Sequence, residues 1–544
     1  MVMRQFLYPV FLLSGIFSAA AAPFPEDPFP EYKTIPRQLR MPKCAVIRTD
    51  VNGDTLVNGQ KRYLVGVSCS ATNLDVNLRP TAGYPPSLKW LYEGVLTFET
   101  AQRLGFDTIT TNVPATWLKT INPKLYVEGI NAENLALARR MLGNGLPFAV
   151  DFTLFPWSHG RLHSKRPAAP KIGQDAYNNF LQGNNNHWVP YNIFHPQSVD
   201  LYRRMWRDGA REMKRLISGP ILHYELFNEP AYNDPGPYNK RRFEEHLQRK
   251  FQTVETMNRT FRSRFRTFQD AASLTDLGKY PALSVEWGKF LEEGFTKLTR
   301  IGRAAVREAD PEAKVCTQVI GMNYYRTLPM SNINIFEINR SMDAIALPTS
   351  GGLTYPTTFE KPPRKTVEAP ANSDRFSEGI LCRHLFRAMA DGKPIHNPEA
   401  YARKSRKDNR NLLWMDLLRG SNQTYLFAWG RMLTTWKPDF TEEGGRRQAE
   451  KYPYVMTNPY SFSTDALAGI AEGRAEILKL ADFFVSRKQF ESVRPREVAV
   501  MLSYPTERYG VQIGYGRKNE ILNYTSTLEF SHYPMDALFE EQLS

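Results

Sequence analysis

Cysteine is scarce in this chain: Cys44, Cys69, Cys316 and Cys382 are the only four in 544 residues. A chain of this size with so few cannot be a disulfide-built scaffold, and it has no C-x-x-C pair. The thiols are compatible with one bond, Cys44 to Cys69, or with free buried groups. Histidine is also sparse, with 9 residues. The one H-x-x-x-H spacing, His159 to His163, contains Gly160 and has no glutamate after His159, so it lacks the helical pattern of a metal hydrolase. No apolar run after the first 17 residues reaches membrane-spanning length. There is no internal repeat. Zinc-finger spacing, RNA-binding signatures and basic helix repeats are missing, which argues against nucleic acid as a partner.

The first residues are informative. Met1-Val2-Met3-Arg4 is followed by an apolar run from Phe6 to Phe17 and by Ser18-Ala19-Ala20-Ala21-Ala22-Pro23. A positive start, a short apolar stretch and a small-residue site read as a secretory signal peptide, residues 1–22, cut near Ala20–Ala22. The expectation is a secreted, periplasmic or cell-surface protein. The Pro-rich stretch that follows, residues 23–45, reads as an extended arm. Lys+Arg outnumber Asp+Glu by 70 to 56, a net charge of +14. Such an excess suits an anionic substrate or surface, and equally a solvated basic exterior that keeps the chain in solution.

A length of 544 residues suggests two or three domains. Asn58-Gly59 marks a hairpin turn within Asp54–Val67, whose second arm is an apolar run. Short apolar runs then recur at Leu64–Val67, Phe106–Thr110, Pro147–Leu154, Pro220–Phe227, Lys314–Ile320, Met342–Leu347, Pro394–Asn397 and Thr424–Trp429. Helical patterns at Ser198–Ile217, Tyr238–Asn258, Ser284–Ala309 and Glu378–Asp391 lie between several of them. Eight strand-like runs alternating with helices and long loops predict an α/β fold, a parallel (β/α)8 TIM barrel over residues 46–490. Past residue 494 the pattern starts again with the apolar strand Val498–Tyr504 and a helix-like stretch from Asn519. Residues 494–544 therefore read as a partial α/β unit, either incomplete or packed as an appendage on the barrel.

Two segments carry the chemistry. Tyr224-Glu225-Leu226-Phe227-Asn228-Glu229-Pro230 and Lys393-Pro394-Ile395-His396-Asn397-Pro398-Glu399 are strand-like runs with a glutamate at or near the end. Hydrolysis of a glycosidic bond with retention needs two carboxyls about 5–5.5 Å apart, one protonated and one ionised. Strand ends of a barrel are where residues so far apart in sequence can meet. Glu229, with apolar neighbours, is the predicted acid/base. Glu399 is the predicted nucleophile, ahead of Glu293, Glu368 and Glu378, which sit in helix or loop contexts. Asn228 would bind the hydroxyl beside the reacting carbon. Trp429, at the end of the eighth run, would floor the sugar subsite. Asn112, Tyr324, His159 and His187 lie near predicted strand ends or in the loops beyond, and are candidates for lining the pocket. No metal or cofactor is implied.

These residues resemble the clan A retaining glycoside hydrolases, with Asn-Glu on strand four, a glutamate on strand seven and a tryptophan on strand eight. Within the clan, Phe243–Asn258 and Ala305–Pro311 are most similar to glycoside hydrolase family 42, the β-galactosidases and relatives. The resemblance implies galactose as the default sugar. It also implies a flavodoxin-like domain after the barrel with trimer contacts, and the Val498–Tyr504 strand is similar to the start of such a domain. Pro230 departs from the family pattern and is closer to family 5. That departure leaves mannose, glucose, fucose and anhydro- or sulfated galactose open. A catalytically silent carbohydrate-binding barrel, and a lyase or transglycosylase using the same carboxylates, remain alternatives.

Overall fold

The computed structural model describes residues 35–69, 102, 104–112, 142–153, 188–274, 279–319, 332–346, 384–385, 387–401, 406–418, 420–429, 464–480, 498–503 and parts of 505–543. Three short antiparallel strands come first: β1 (Ile47–Thr49), β2 (Thr55–Val57) and β3 (Gln60–Lys61). Asn58 (φ 50°) and Gly59 (φ 85°) both take the left-handed conformation that a two-residue hairpin demands. The expected second arm was too long. The hairpin ends at Lys61, and the apolar run from Leu64 goes to a different sheet. Leu64, Val65 and Val67 are each 0 % exposed, which suits a parallel strand covered on both faces better than a hairpin arm.

That run is β4 (Leu64–Cys69), the first strand of a closed parallel barrel. It is followed by β5 (Thr108–Asn112), β6 (Phe148–Asp151), β7 (Ile221–Asn228), β8 (Val315–Gln318), β9 (Ile345–Ala346), β10 (Ile395–Tyr401) and β11 (Gln423–Trp429). Each pairs in parallel with the next, and β11 closes onto β4 through Gln423↔Leu64 to Trp429↔Cys69. All eight runs read from the sequence become barrel strands, so Asn228 ends strand four and Glu399 lies on strand seven.

The described helices are α1 (Pro196–Leu216), α2 (Pro237–Phe251), α3 (Val254–Phe261), α4 (Phe268–Ala272), α5 (Pro281–Ala309), α6 (Ile335–Ser341), α7 (Arg406–Leu418) and α8 (Thr464–Lys479). Three of them start on proline, slightly ahead of the sequence estimate, because proline at the first helical position loses no hydrogen bond. The helix expected over Tyr238–Asn258 is two helices. Gln252 turns to φ 61°, and Thr253 Oγ1 then accepts the Thr256 N–H at 3.2 Å to cap α3. Helix α1 packs on α5 and on the outer face of β7. Trp206 stacks on Tyr202 at 5.3 Å and meets Phe227 edge-on at 5.4 Å. Trp206 and Phe227 are fully buried, so truncating either to alanine costs about 3–5 kcal/mol.

The N-terminal end of the barrel is closed by charge. Asp107, just ahead of β5, accepts from Arg62 at 2.5 Å, from the Val65 N–H at 3.0 Å and from Arg474 of α8. Arg474 is 0 % exposed. Removing one member of such a pair strands the other charge, at a cost of about 3–5 kcal/mol.

The C-terminal segment forms a parallel pair, β12 (Val498–Leu502) with β13 (Met535–Phe539). It packs on the barrel as an appendage. Phe539 lies 4.9 Å from Phe336 of α6, and Glu541 accepts from Asn334 at 2.8 Å. Most of the helix-like stretch from Asn519 lies outside the described residues. Cys44 and Cys316 carry free thiols, so the Cys44–Cys69 bond is not formed.

Candidate active site

The eight residues of β7 are buried along nearly their whole length, as a central strand of a covered barrel must be. Its last residue is Asn228. Glu229 then turns to φ 46°, a left-handed conformation that a non-glycine residue adopts only when its surroundings hold it. Its N–H donates to the Gln318 carbonyl at 2.7 Å. The next loop is fastened from several sides. The Tyr232 carbonyl accepts from Asn332 and its hydroxyl accepts from Asn239, both at 2.9 Å, while Asn233 accepts from the Trp287 indole at 3.0 Å. These bonds fix the direction in which the chain leaves strand four.

Glu399 sits on β10 at a register shift between Asn397 and Ala400 and is 8 % exposed. Gln318 Nε2 donates to Glu399 Oε2 at 2.8 Å. β8 and β10 are not neighbours, since β9 lies between them, so this bond spans the barrel lumen. Gln318 therefore holds both predicted glutamates, one through its carbonyl and the other through its amide. It is the last residue of β8, at the C-terminal mouth where barrel sites lie.

Two more carboxyls join them. Asp151 ends β6, and Glu225 of β7 is its register partner. The electrostatics follow from burial. Burial, then the charge of Glu399, pushes Glu229 up to about 7. Asp151 is raised to about 6, mainly by burial and partly by Glu399, against hydrogen bonds from Thr153 that oppose the rise. Glu225 is pushed well above the carboxylate range by burial and then by Asp151, Glu399 and Glu229. Four carboxyls in one low-dielectric space cannot all ionise, so the mouth holds protons at neutral pH.

The other predicted residues fall variously. Asn228 Oδ1 is buried and has no hydrogen-bond partner among the described residues. Trp429 is the last residue of β11 and Asn112 the last of β5, so both backbones reach the mouth. Their side chains, and all of Tyr324, His159 and His187, lie outside the described residues. The sequence reading passed over Gln318, Asp151 and Glu225. The first two are polar residues at C-terminal strand ends, the rule that singled out Asn228. Glu225 stood inside a buried apolar run, where an acid is itself a signal.

The family model for glycoside hydrolase family 42, described as beta-galactosidase, matches residues 168–434. That span contains β7 through β11 and both glutamates. Among solved structures, the beta-galactosidase from the psychrophilic Marinomonas ef1 superposes with a TM-score of 0.60 at 13% identity, over 88% of this chain and 70% of that one. The cold-adapted beta-galactosidase from Rahnella sp. R3 gives 0.57 at 12%, over 92% and 66%. The apo exo-carrageenase GH42 from Bacteroides ovatus gives 0.58 at 14%, over 92% and 62%. This chain thus spans about two thirds of the length of the solved structures it matches, 62% to 70% for these three. No curated protein matches it. Identities this low carry the fold, a (β/α)8 barrel, and the family match adds a similarity to family 42 of the clan A glycoside hydrolases over the barrel half that holds Asn228-Glu229 and Glu399.

Proposed function

We propose that this chain is an exported, retaining β-glycosidase of β-galactosidase type acting on an oligo- or polysaccharide. The observation that carries the reading is the pairing of Glu229, which keeps a proton near neutrality, with Glu399, buried on the amide of Gln318. In the first step the Glu399 carboxylate attacks the anomeric carbon while Glu229 gives its proton to the leaving oxygen, and the glycosidic C–O bond breaks as the glycosyl ester forms. In the second step Glu229, now a carboxylate, takes a proton from water as that water attacks the anomeric carbon, and the C–O bond to Glu399 breaks to return its carboxylate. Two inversions return the original anomer. The unpartnered Asn228 Oδ1 would accept from the hydroxyl beside the reacting carbon, where bonds strengthen as positive charge develops. Trp429 would floor the subsite, with Asn112, Tyr324, His159 and His187 as further lining. Export rests on the leader-like residues 1–22.

A second substrate reading, a sulfated or otherwise anionic galactan, is favoured by the +14 net charge. Initial rates on aryl β-galactoside, mannoside, glucoside and fucoside, with sulfated galactan oligosaccharides beside them, separate the two. The expected outcome is turnover of one aryl glycoside with the first product a retained anomer by NMR. An inverted product would rule out double displacement. An unsaturated product would point to a lyase. Salt-sensitive turnover of the sulfated oligosaccharide alone would select the anionic galactan.

A further inference from the structure

Beneath the carboxyls the lumen holds a second group of chemically capable side chains. His223 of β7, Cys316 of β8 and His396 of β10 each present one ligand atom, all within 4.8 Å of one another. Their exposures are 2 %, 0 % and 0 %. The two imidazole rings lie 4.5 Å apart with 33° between their planes. β7 and β10 are separated by β8 and β9, so the rings meet across the lumen. The intervening strand leaves them room. Ala344 and Ala346 cluster with Cys316, and Ala346 is the register partner of His396.

The polar atoms of this cluster are not satisfied. Both ring nitrogens of His396 and Nδ1 of His223 are buried without a hydrogen-bond partner among the described residues. A neutral imidazole has one donor and one acceptor, and leaving them unmatched in a protein core is costly. Protonation is no remedy: burial, together with Lys314, holds both rings well below the usual histidine range. Neutral imidazole with a thiol alongside is the donor set that borderline and soft divalent metals take. Burial, then the neighbouring acids Glu225 and Asp151, pushes the Cys316 thiol well up, so a metal entering the cluster must displace its proton, and Lys314 is the cation on the histidine side.

We propose that His223, Cys316 and His396 form a two-imidazole, one-thiolate site for a borderline divalent transition metal such as zinc. On binding, the S–H bond breaks, the metal–sulfur bond forms and the proton goes to solvent. Zinc bonds of about 2.0–2.3 Å need ligand atoms roughly 3.3–3.8 Å apart, so the three side chains close in by about 1 Å. The three strands tied together are β7, β8 and β10, which also carry Glu229, Gln318 and Glu399. The metal is a staple under the mouth and takes no part in glycoside chemistry, so this inference stands or falls separately from the proposed activity.

The test uses the full chain. Wild type is stripped with a chelator under denaturing conditions and refolded with cobalt(II), because a closed core fills during folding. One cobalt per chain, with thiolate-to-cobalt charge-transfer absorption and a rise in melting temperature over the metal-free refold, is the expected result. Cys44→Ser should keep the band, and Cys316→Ser should lower cobalt affinity by roughly tenfold or more and abolish the band. Absence of stoichiometric cobalt, or a band that survives Cys316→Ser, overturns the proposal. Should Cys316→Ser fail to fold, X-ray absorption of the wild-type cobalt protein decides: one sulfur and two imidazoles support the site, and nitrogen and oxygen neighbours alone overturn it.

Discussion

The mouth and the floor of this barrel bury titratable groups in opposite ways. At the mouth, Gln318 and the fastened loop after Glu229 give the carboxyls defined partners, and the excess charge is managed by retained protons. On the floor, two imidazoles and a thiol stand a few residues deeper on the same strands with ring nitrogens unmatched among the described residues. Register explains how one set of strands serves both. Alternate residues face the lumen, so each step of two along a strand moves roughly 6–7 Å deeper and into another layer. Substitutions at the mouth should therefore change rate and pH dependence, and those on the floor should change stability and metal response.

The largest effect should come from the glutamates. Glu399→Gln and Glu229→Gln should each lower kcat/KM by roughly 10³–10⁵-fold and 10²–10⁴-fold respectively. Azide should sharpen the assignment of roles. With Glu229→Ala it should yield the glycosyl azide of retained configuration, and with Glu399→Ala the inverted one. The opposite pattern would exchange the two roles and break the account of the mouth.

Gln318 should come next. Its amide donates to a carboxylate, a bond worth about 1.5–3 kcal/mol, so Gln318→Ala should cost roughly 10–150-fold in kcat with a smaller change in KM. Gln318→Glu should cost more at neutral pH, since a like charge replaces a donor beside Glu399, and should recover partly as pH falls. A purely structural role would lower the melting temperature of both variants and leave the shape of the pH profile alone. The profile itself follows from Glu229, which must be protonated for the first step. In wild type, kcat/KM should fall as pH rises through about 7. If that limb persists unchanged in Glu229→Gln with an activated aryl leaving group, another group controls it.

Much of this was legible in the sequence, for a physical reason. Strands covered on both faces must be apolar throughout, and eight such runs, from Leu64–Val67 to Thr424–Trp429, stood out. Glu229 and Glu399 were visible as acids at the ends of those runs. What depends on neighbours across the lumen was hidden. Gln318 matters because β8 meets β10 over Ala346 of β9, a relation that one-dimensional pattern does not express. His223, Cys316 and His396 are far apart in sequence and share no motif spacing, so only barrel closure brings them together. Local geometry was lost for smaller reasons. Thr253 offered a cap that the helical periodicity of Tyr238–Asn258 concealed, and the Asn58-Gly59 turn was read with the wrong second arm.

The smallest effect sets function against stability in a single residue. Glu229 has an ordinary pKa of 4.5 in the unfolded chain and about 7 in the folded one. Below pH 4.5 both states hold the proton, and the full stability is present. As pH rises the unfolded chain ionises first, so stability is lost through the window from 4.5 to about 7 and stays lost above it. Glu229→Gln cannot ionise and should escape this penalty. The variant should therefore unfold at higher denaturant than wild type at pH 8, by on the order of 2 kcal/mol, and match it at pH 4. Equal midpoints at both pH values would mean that the folded site solvates the Glu229 carboxylate as well as water does. The retained proton on which the division between mouth and floor depends would then be gone. A gain confined to high pH would instead show that the residue proposed to give the proton is held there at the expense of stability.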